Sequence, residues 1–82
     1  MTRAAVVWQP DARSVVLSLP DDVQDLIAEK IDLLARFPLM YPIRKRGRFR
    51  RHRWFLAQNW LVYYKVAVET VYIRGIWPAR LP

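Results

Sequence analysis

The sequence predicts one α+β domain over residues 1–82, with an N-terminal strand, a helical hairpin and then a three-stranded antiparallel sheet. Three observations carry that reading. Residues 60–66 (Trp60, Leu61, Val62, Tyr63, Tyr64, Lys65, Val66) and 71–77 (Val71, Tyr72, Ile73, Arg74, Gly75, Ile76, Trp77) are rich in β-branched and aromatic side chains, as paired strands are. A third run, 50–56, precedes them across Ala57, Gln58 and Asn59. Upstream, Val23, Leu26, Ile27, Ile31, Leu34 and Phe37 recur at three- and four-residue spacing, which lines them along one face of a helix.

The first element is the apolar run 4–8, a strand closed by Gln9 and Pro10. Asp11 is placed to cap a short helix, 12–17, that turns Val15 and Val16 to the core. The main helix starts at Ser18, Leu19, Pro20, Asp21, which reads as a capping box, with proline tolerated in a first turn whose N–H groups lack partners. Asp21, Asp22, Asp25, Glu29 and Lys30 fall outside the apolar stripe, and the carboxylates sit toward the positive end of the helix dipole. Pro38 ends this helix. Leu39, Met40, Tyr41, Pro42 and Ile43 form an apolar connector expected to lie against the sheet. In the strand that follows, side chains alternate: Arg51, Arg53 and Phe55 share one face, and Arg50, His52, Trp54 and Leu56 the other, with Trp54 and Leu56 expected inward. Residues 67–70 make the last hairpin connection. Trp54, Trp60, Tyr64 and Trp77 are expected in the core.

Charge divides the chain. Residues 1–40 carry a net charge of −2 and residues 41–82 carry +9, for a total of +7. Seven of the ten residues from Arg44 to Arg53 are basic, with Gly47 allowing a turn. Arg44, Lys45, Arg46, Arg48 and Arg50 are therefore assigned to binding a polyanion, either a nucleic acid or an acidic protein partner. The chain has no cysteine and one histidine, which argues against disulfides and against a zinc site; no metal and no cofactor are expected. No apolar stretch approaches the ~20 residues that cross a bilayer, so a cytoplasmic protein without a membrane partner is expected. At this length a partner is expected to add to stability, since a domain of about 60 residues buries only about 60% of its unfolded surface.

The order of elements, the phrase Trp8, Gln9, Pro10, Asp11, Ala12, the Leu19, Pro20 lead-in to a long helix, the run from Asn59 to Val66, then Val71, Tyr72, Ile73 and Pro78, Ala79, Arg80, together resemble the RelE/ParE superfamily. The resemblance covers nearly the whole chain. It implies the toxin of a type II toxin–antitoxin module of the plasmid-stabilisation kind, arresting growth and neutralised in a hetero-oligomer by an antitoxin with an acidic toxin-binding segment. RelE-like members cleave mRNA on the ribosome without a metal; ParE-like members inhibit DNA gyrase and are not nucleases. Leu61 stands where RelE-like nucleases carry an arginine, and no Tyr or His follows Arg80. The resemblance therefore implies a ParE-like action first and the mRNA interferase as the alternative. A nucleic-acid-binding domain without toxicity is the remaining reading.

For the nuclease, metal-free cleavage needs a base, cations at the phosphate and an acid. Arg51, Arg53 and Arg80 are the cations that resemblance selects. Arginine is a poor base because it stays protonated. His52 has the side chain whose ordinary pKa suits proton transfer near neutrality, with Tyr63, Tyr64 and Tyr72 behind it.

Overall fold

A computed structural model describes residues 3–79 and gives the order β1 (Ala5–Trp8), α1 (Pro10–Leu17), α2 (Asp21–Arg36), β2 (Arg53–Ala57), β3 (Trp60–Ala67) and β4 (Thr70–Pro78). The strands form a single sheet in the order β1-β4-β3-β2. The last three are antiparallel neighbours, as expected, and β1 joins them parallel to β4, with Ala5 opposite Thr70 and Trp8 opposite Ile73. Among the described residues no helix is long and apolar enough to cross a membrane.

The apolar stripe of α2 does what its spacing dictates. Val23, Ile27, Ile31 and Leu34 are buried against Phe55, Ala57, Val62, Tyr64, Val71, Ile73 and Ile76 of the sheet, with Ala12 of α1 and Leu19 completing the core. Burying a side chain of this size contributes about 1.5–3 kcal/mol each, so the helix-to-sheet contact carries most of the favourable energy. Phe37, the last residue of the predicted stripe, lies past the end of α2 and is half exposed.

The helix starts differ from the sequence reading. Gln9 holds the N-cap position of α1 and Pro10 its first turn, where its fixed φ already suits a helix; Asp11 lies in that turn without capping it. Ser18 closes α1 instead of opening α2, its Oγ donating to the Val15 carbonyl at 2.6 Å, so the capping box does not form. Pro20 precedes α2 directly.

The face assignment of β2 is also reversed. Phe55 and Ala57 are buried, whereas Trp54 is half-buried and Leu56 is 48% exposed. The strand begins at Arg53 and not at residue 50, because Gly47, Phe49 and Arg51 take φ of 76°, 63° and 72°, left-handed values that no extended chain can hold. The last connection is tighter than expected: Ala67 and Thr70 pair, leaving a two-residue turn of Val68 and Glu69 at φ 44° and 59°, as a primed hairpin turn requires.

One irregularity sets which residues of β4 face which way. Tyr63 pairs with Gly75 but Tyr64 pairs with Ile73, so Arg74 is the extra residue of a β-bulge. With that insertion Ile73 and Ile76 both face the helices, and Gly75 and Trp77 face away. Trp77, expected in the core, is 42% exposed for this reason.

The connector does lie against the sheet. Tyr64, fully buried, donates its hydroxyl to the Pro38 carbonyl at 3.0 Å, and the Tyr41 ring meets Phe55 at 5.3 Å. Burial pushes the Tyr64 phenol up from 10.0 to about 12. The folded state thus favours the neutral phenol, so this contribution to stability is complete below pH 10 and is lost as pH rises from 10 toward 12. Tyr64→Phe removes the hydrogen bond and leaves the Pro38 carbonyl without it, a cost of about 1 kcal/mol. Urea unfolding at neutral pH is expected to show that loss. The fall in stability between pH 10 and 12 is expected to be shallower in the variant than in the wild type.

Candidate functional site

The basic segment is a folded strap and not part of a strand. Ile43 bridges Arg53, and Trp54 donates its N–H to the Pro42 carbonyl at 3.2 Å, which brings both ends of the segment together. Inside it, the Arg44 N–H reaches the His52 carbonyl at 2.7 Å, the Arg51 N–H the Arg44 carbonyl at 2.8 Å, the Arg50 N–H the Gly47 carbonyl at 3.1 Å and the His52 N–H the Phe49 carbonyl at 3.0 Å. The left-handed residues close these turns.

Phe49 pins the strap to the sheet. Its ring stacks on Tyr63 with centroids 4.5 Å apart and planes 12° from parallel, meets His52 edge-on at 5.4 Å and lies 6.5 Å from Trp77. It rests on Gly75, where a Cβ would collide with the ring at its Cζ, Cε1 and Cε2 atoms. The absence of a side chain there is what lets the aromatic ring reach the backbone. Tyr63, on the face away from the helices, is buried because Phe49 covers it.

Two guanidinium groups lie over the aromatic surface so formed: Arg48 over Trp77 at 4.6 Å and Arg44 over Tyr63 at 5.5 Å. Lys45, Arg46, Arg50 and Arg51 are exposed. Among the described residues the one ion pair is Arg3 with Asp32, far along the chain, so no carboxylate neutralises the strap. Such a concentration of cations on a rigid support attracts an anionic surface at the cost of self-repulsion.

The residues selected for a nuclease that lie among the described residues occupy different settings. Arg53 lies in strand register with Tyr64, and its Nη1 donates to the Tyr41 carbonyl at 2.6 Å and the Leu39 carbonyl at 3.3 Å, tying the connector. His52 sits beside Phe49, with Nδ1 3.2 Å from the Arg50 carbonyl and Nε2 enclosed without a partner among the described residues. Arg51 is exposed on the strap. Tyr63 is covered, Tyr64 is held by Pro38, and Tyr72 pairs with Lys65 further along the sheet. Arg80 lies outside the described residues.

Sequence reasoning missed Arg74. The bulge turns it out of the strand alternation into a cleft of 270 Å³ between α1 and the strap, walled by Arg48, Phe49, Arg74 and Trp77 with Asp11 and Val15 opposite. A bulge has no residue signature here, so nothing in the sequence announced it.

The architecture can be compared with known structures. A chain in the crystal structure of the toxin–antitoxin complex RelBE2 from Mycobacterium tuberculosis superposes with a TM-score of 0.78 at 20% identity, over 95% of this chain and 93% of that one. The fold is that of a RelE-type toxin. No family model matches the sequence, and no curated protein matches it. The strap, the bulged last strand and the aromatic face between them are set on a fold shared with that structure at low sequence identity.

Gly75→Ala is expected to expel the Phe49 ring and destabilise the protein by about 1–3 kcal/mol, the range for overpacking a closed site. In a Phe49→Ala background the same glycine change is expected to cost much less. A double-mutant cycle in urea, with the two changes simply additive, would show that the ring and the glycine are not coupled.

Proposed function

We propose that this chain is the toxin of a type II toxin–antitoxin module and that it acts by binding, in the ParE-like manner of DNA gyrase inhibition, and not by cutting RNA. The RelE-type fold supports the first part. The observation that carries the second is the strap itself: Lys45, Arg46, Arg50 and Arg51 present exposed charge, while the side chains able to move a proton near them are engaged or covered. Cations alone stabilise phosphate charge, but cleavage also needs a base for the 2′-hydroxyl and an acid for the leaving oxygen. Leu61, at the position where the resembling nucleases carry an arginine, agrees with this. The antitoxin supplies the missing carboxylates, forming a hetero-oligomer in which the +7 chain meets an acidic segment.

Induced expression of the untagged chain in bacteria is expected to arrest growth, with intact messages in primer extension at translated codons and with altered chromosome supercoiling and a DNA-damage response. Reversing charge together at Lys45, Arg46, Arg50 and Arg51 is expected to abolish the arrest without loss of folding. Codon-phased cleavage would replace this mechanism with the mRNA interferase. Unimpaired growth of cells holding the folded protein would remove the toxin reading altogether.

A further inference from the structure

The face of the sheet turned away from the helices is not built for water. Where one face of an antiparallel sheet is solvated, its strands alternate apolar inward and polar outward. Here the outward positions break that rule. From Ala5 and Val7 in β1, through Trp54 and Leu56 in β2, to Tyr72 and Trp77 in β4, they are apolar or aromatic. Apart from Arg74 at the bulge, the strands place one charge on this face, Lys65. A contiguous exposed apolar surface of this kind marks an interaction site.

The strap covers only the middle of that face. Phe49 lies on Tyr63 and Gly75, and two residues further along the strands a second row, Leu56 opposite Leu61 and Leu61 opposite Trp77, is left open. Leu56 is 48% and Trp77 42% exposed, with Leu61 half-buried between them. The row crosses two strand spacings, about 10 Å. Charge borders it on one side: the Arg48 guanidinium lies over Trp77 at 4.6 Å, and Lys45, Arg46, Arg50 and Arg51 stand exposed on the same strap. All seven Asp and Glu side chains are elsewhere. Six are on the two helices, and Glu69 is in the β3–β4 turn, at the far end of that hairpin from Trp77.

An apolar row with a cationic border has the make-up of a protein interface, whose buried centre is depleted of charge and enriched in aromatic and arginine side chains. We propose that the chain docks on its protein target through this open face, with Leu56, Leu61 and Trp77 receiving apolar side chains from an acidic surface whose carboxylates meet the strap. Naming a protein target rests on the reading that the chain acts by binding; the face itself rests on burial and charge. A nucleic acid fits less well. It would find cations at the strap but, at the centre, two leucines that neither donate hydrogen bonds nor offer a flat ring to a base. A second copy related by a two-fold axis would bring two straps together on chains of net charge +7 each, which repels.

The test follows binding of the full chain to purified DNA gyrase by analytical ultracentrifugation, beside growth assays of the same variants. Leu56→Ser and Leu61→Ser are each expected to weaken gyrase binding about tenfold or more and to relieve the arrest. Leu17→Ser and Val68→Ser remove side chains that are 64% and 93% exposed elsewhere on the surface, and are expected to leave both unchanged. Thermal unfolding verifies that every variant folds. Binding or arrest that survives Leu56→Ser and Leu61→Ser combined would overturn the proposal. So would binding of a short single-stranded RNA, or self-association of the chain, that the same double substitution abolishes, since a nucleic acid or a second copy would then be the occupant. A wild type that arrests growth without binding gyrase removes gyrase as the target, and the face then stands or falls on whether the double variant still arrests. A wild type that neither arrests nor binds overturns both readings.

Discussion

The strap exists because one aromatic ring lies on one glycine. Phe49 can stack on Tyr63 only where β4 lacks a side chain, and Gly75 is the residue that lacks it. The consequences spread from that contact. Tyr63 is sealed from water, Trp77 gains a flank over which Arg48 lies, and a turn rich in arginine is held in place although its charges repel one another. Dispersion and the offset of stacked rings supply the adhesion, while the left-handed residues on either side of Phe49 supply the geometry.

The two faces of the sheet therefore do different work with the same strands. Toward the helices, Phe55, Val62, Tyr64, Val71, Ile73 and Ile76 build an ordinary apolar core. Away from them, Trp54, Tyr63 and Trp77 form a platform on which charge is displayed. Tyr64 and Arg53 join the two systems through the connector. One donates to Pro38 and the other to Tyr41 and Leu39, so the chain enters the strap from a fixed point.

What the sequence disclosed and what it withheld follow from how local each feature is. The helix over 21–36 was legible because its apolar residues obey a period, and β3 and β4 were legible because aromatic and β-branched residues cluster there. The cations of the site were legible by count. Their arrangement was not, because left-handed backbone at Phe49 and Arg51 is imposed by the contact with the sheet and has no preference of its own to reveal it. The same holds for Arg74 and Trp77, whose directions depend on a bulge in β4, and for Phe55 against Trp54, where a choice between two faces turns on what covers each. Ser18 was misread because a serine hydroxyl can serve either end of a helix, and here it donates to the Val15 carbonyl at the end of α1.

The parallel pairing of β1 with β4 also bears on how the molecule comes into being. The first strand made must wait for the last, since Ala5 is paired with Thr70 and closing so long a loop comes late in folding. During synthesis the helices can form, but their apolar faces have no sheet to cover. The platform for the cations is missing too, because Gly75 follows Phe49 by a whole hairpin. A nascent or truncated chain thus carries the arginines without the ordered face that displays them, and the cationic surface is assembled only once β4 is in place.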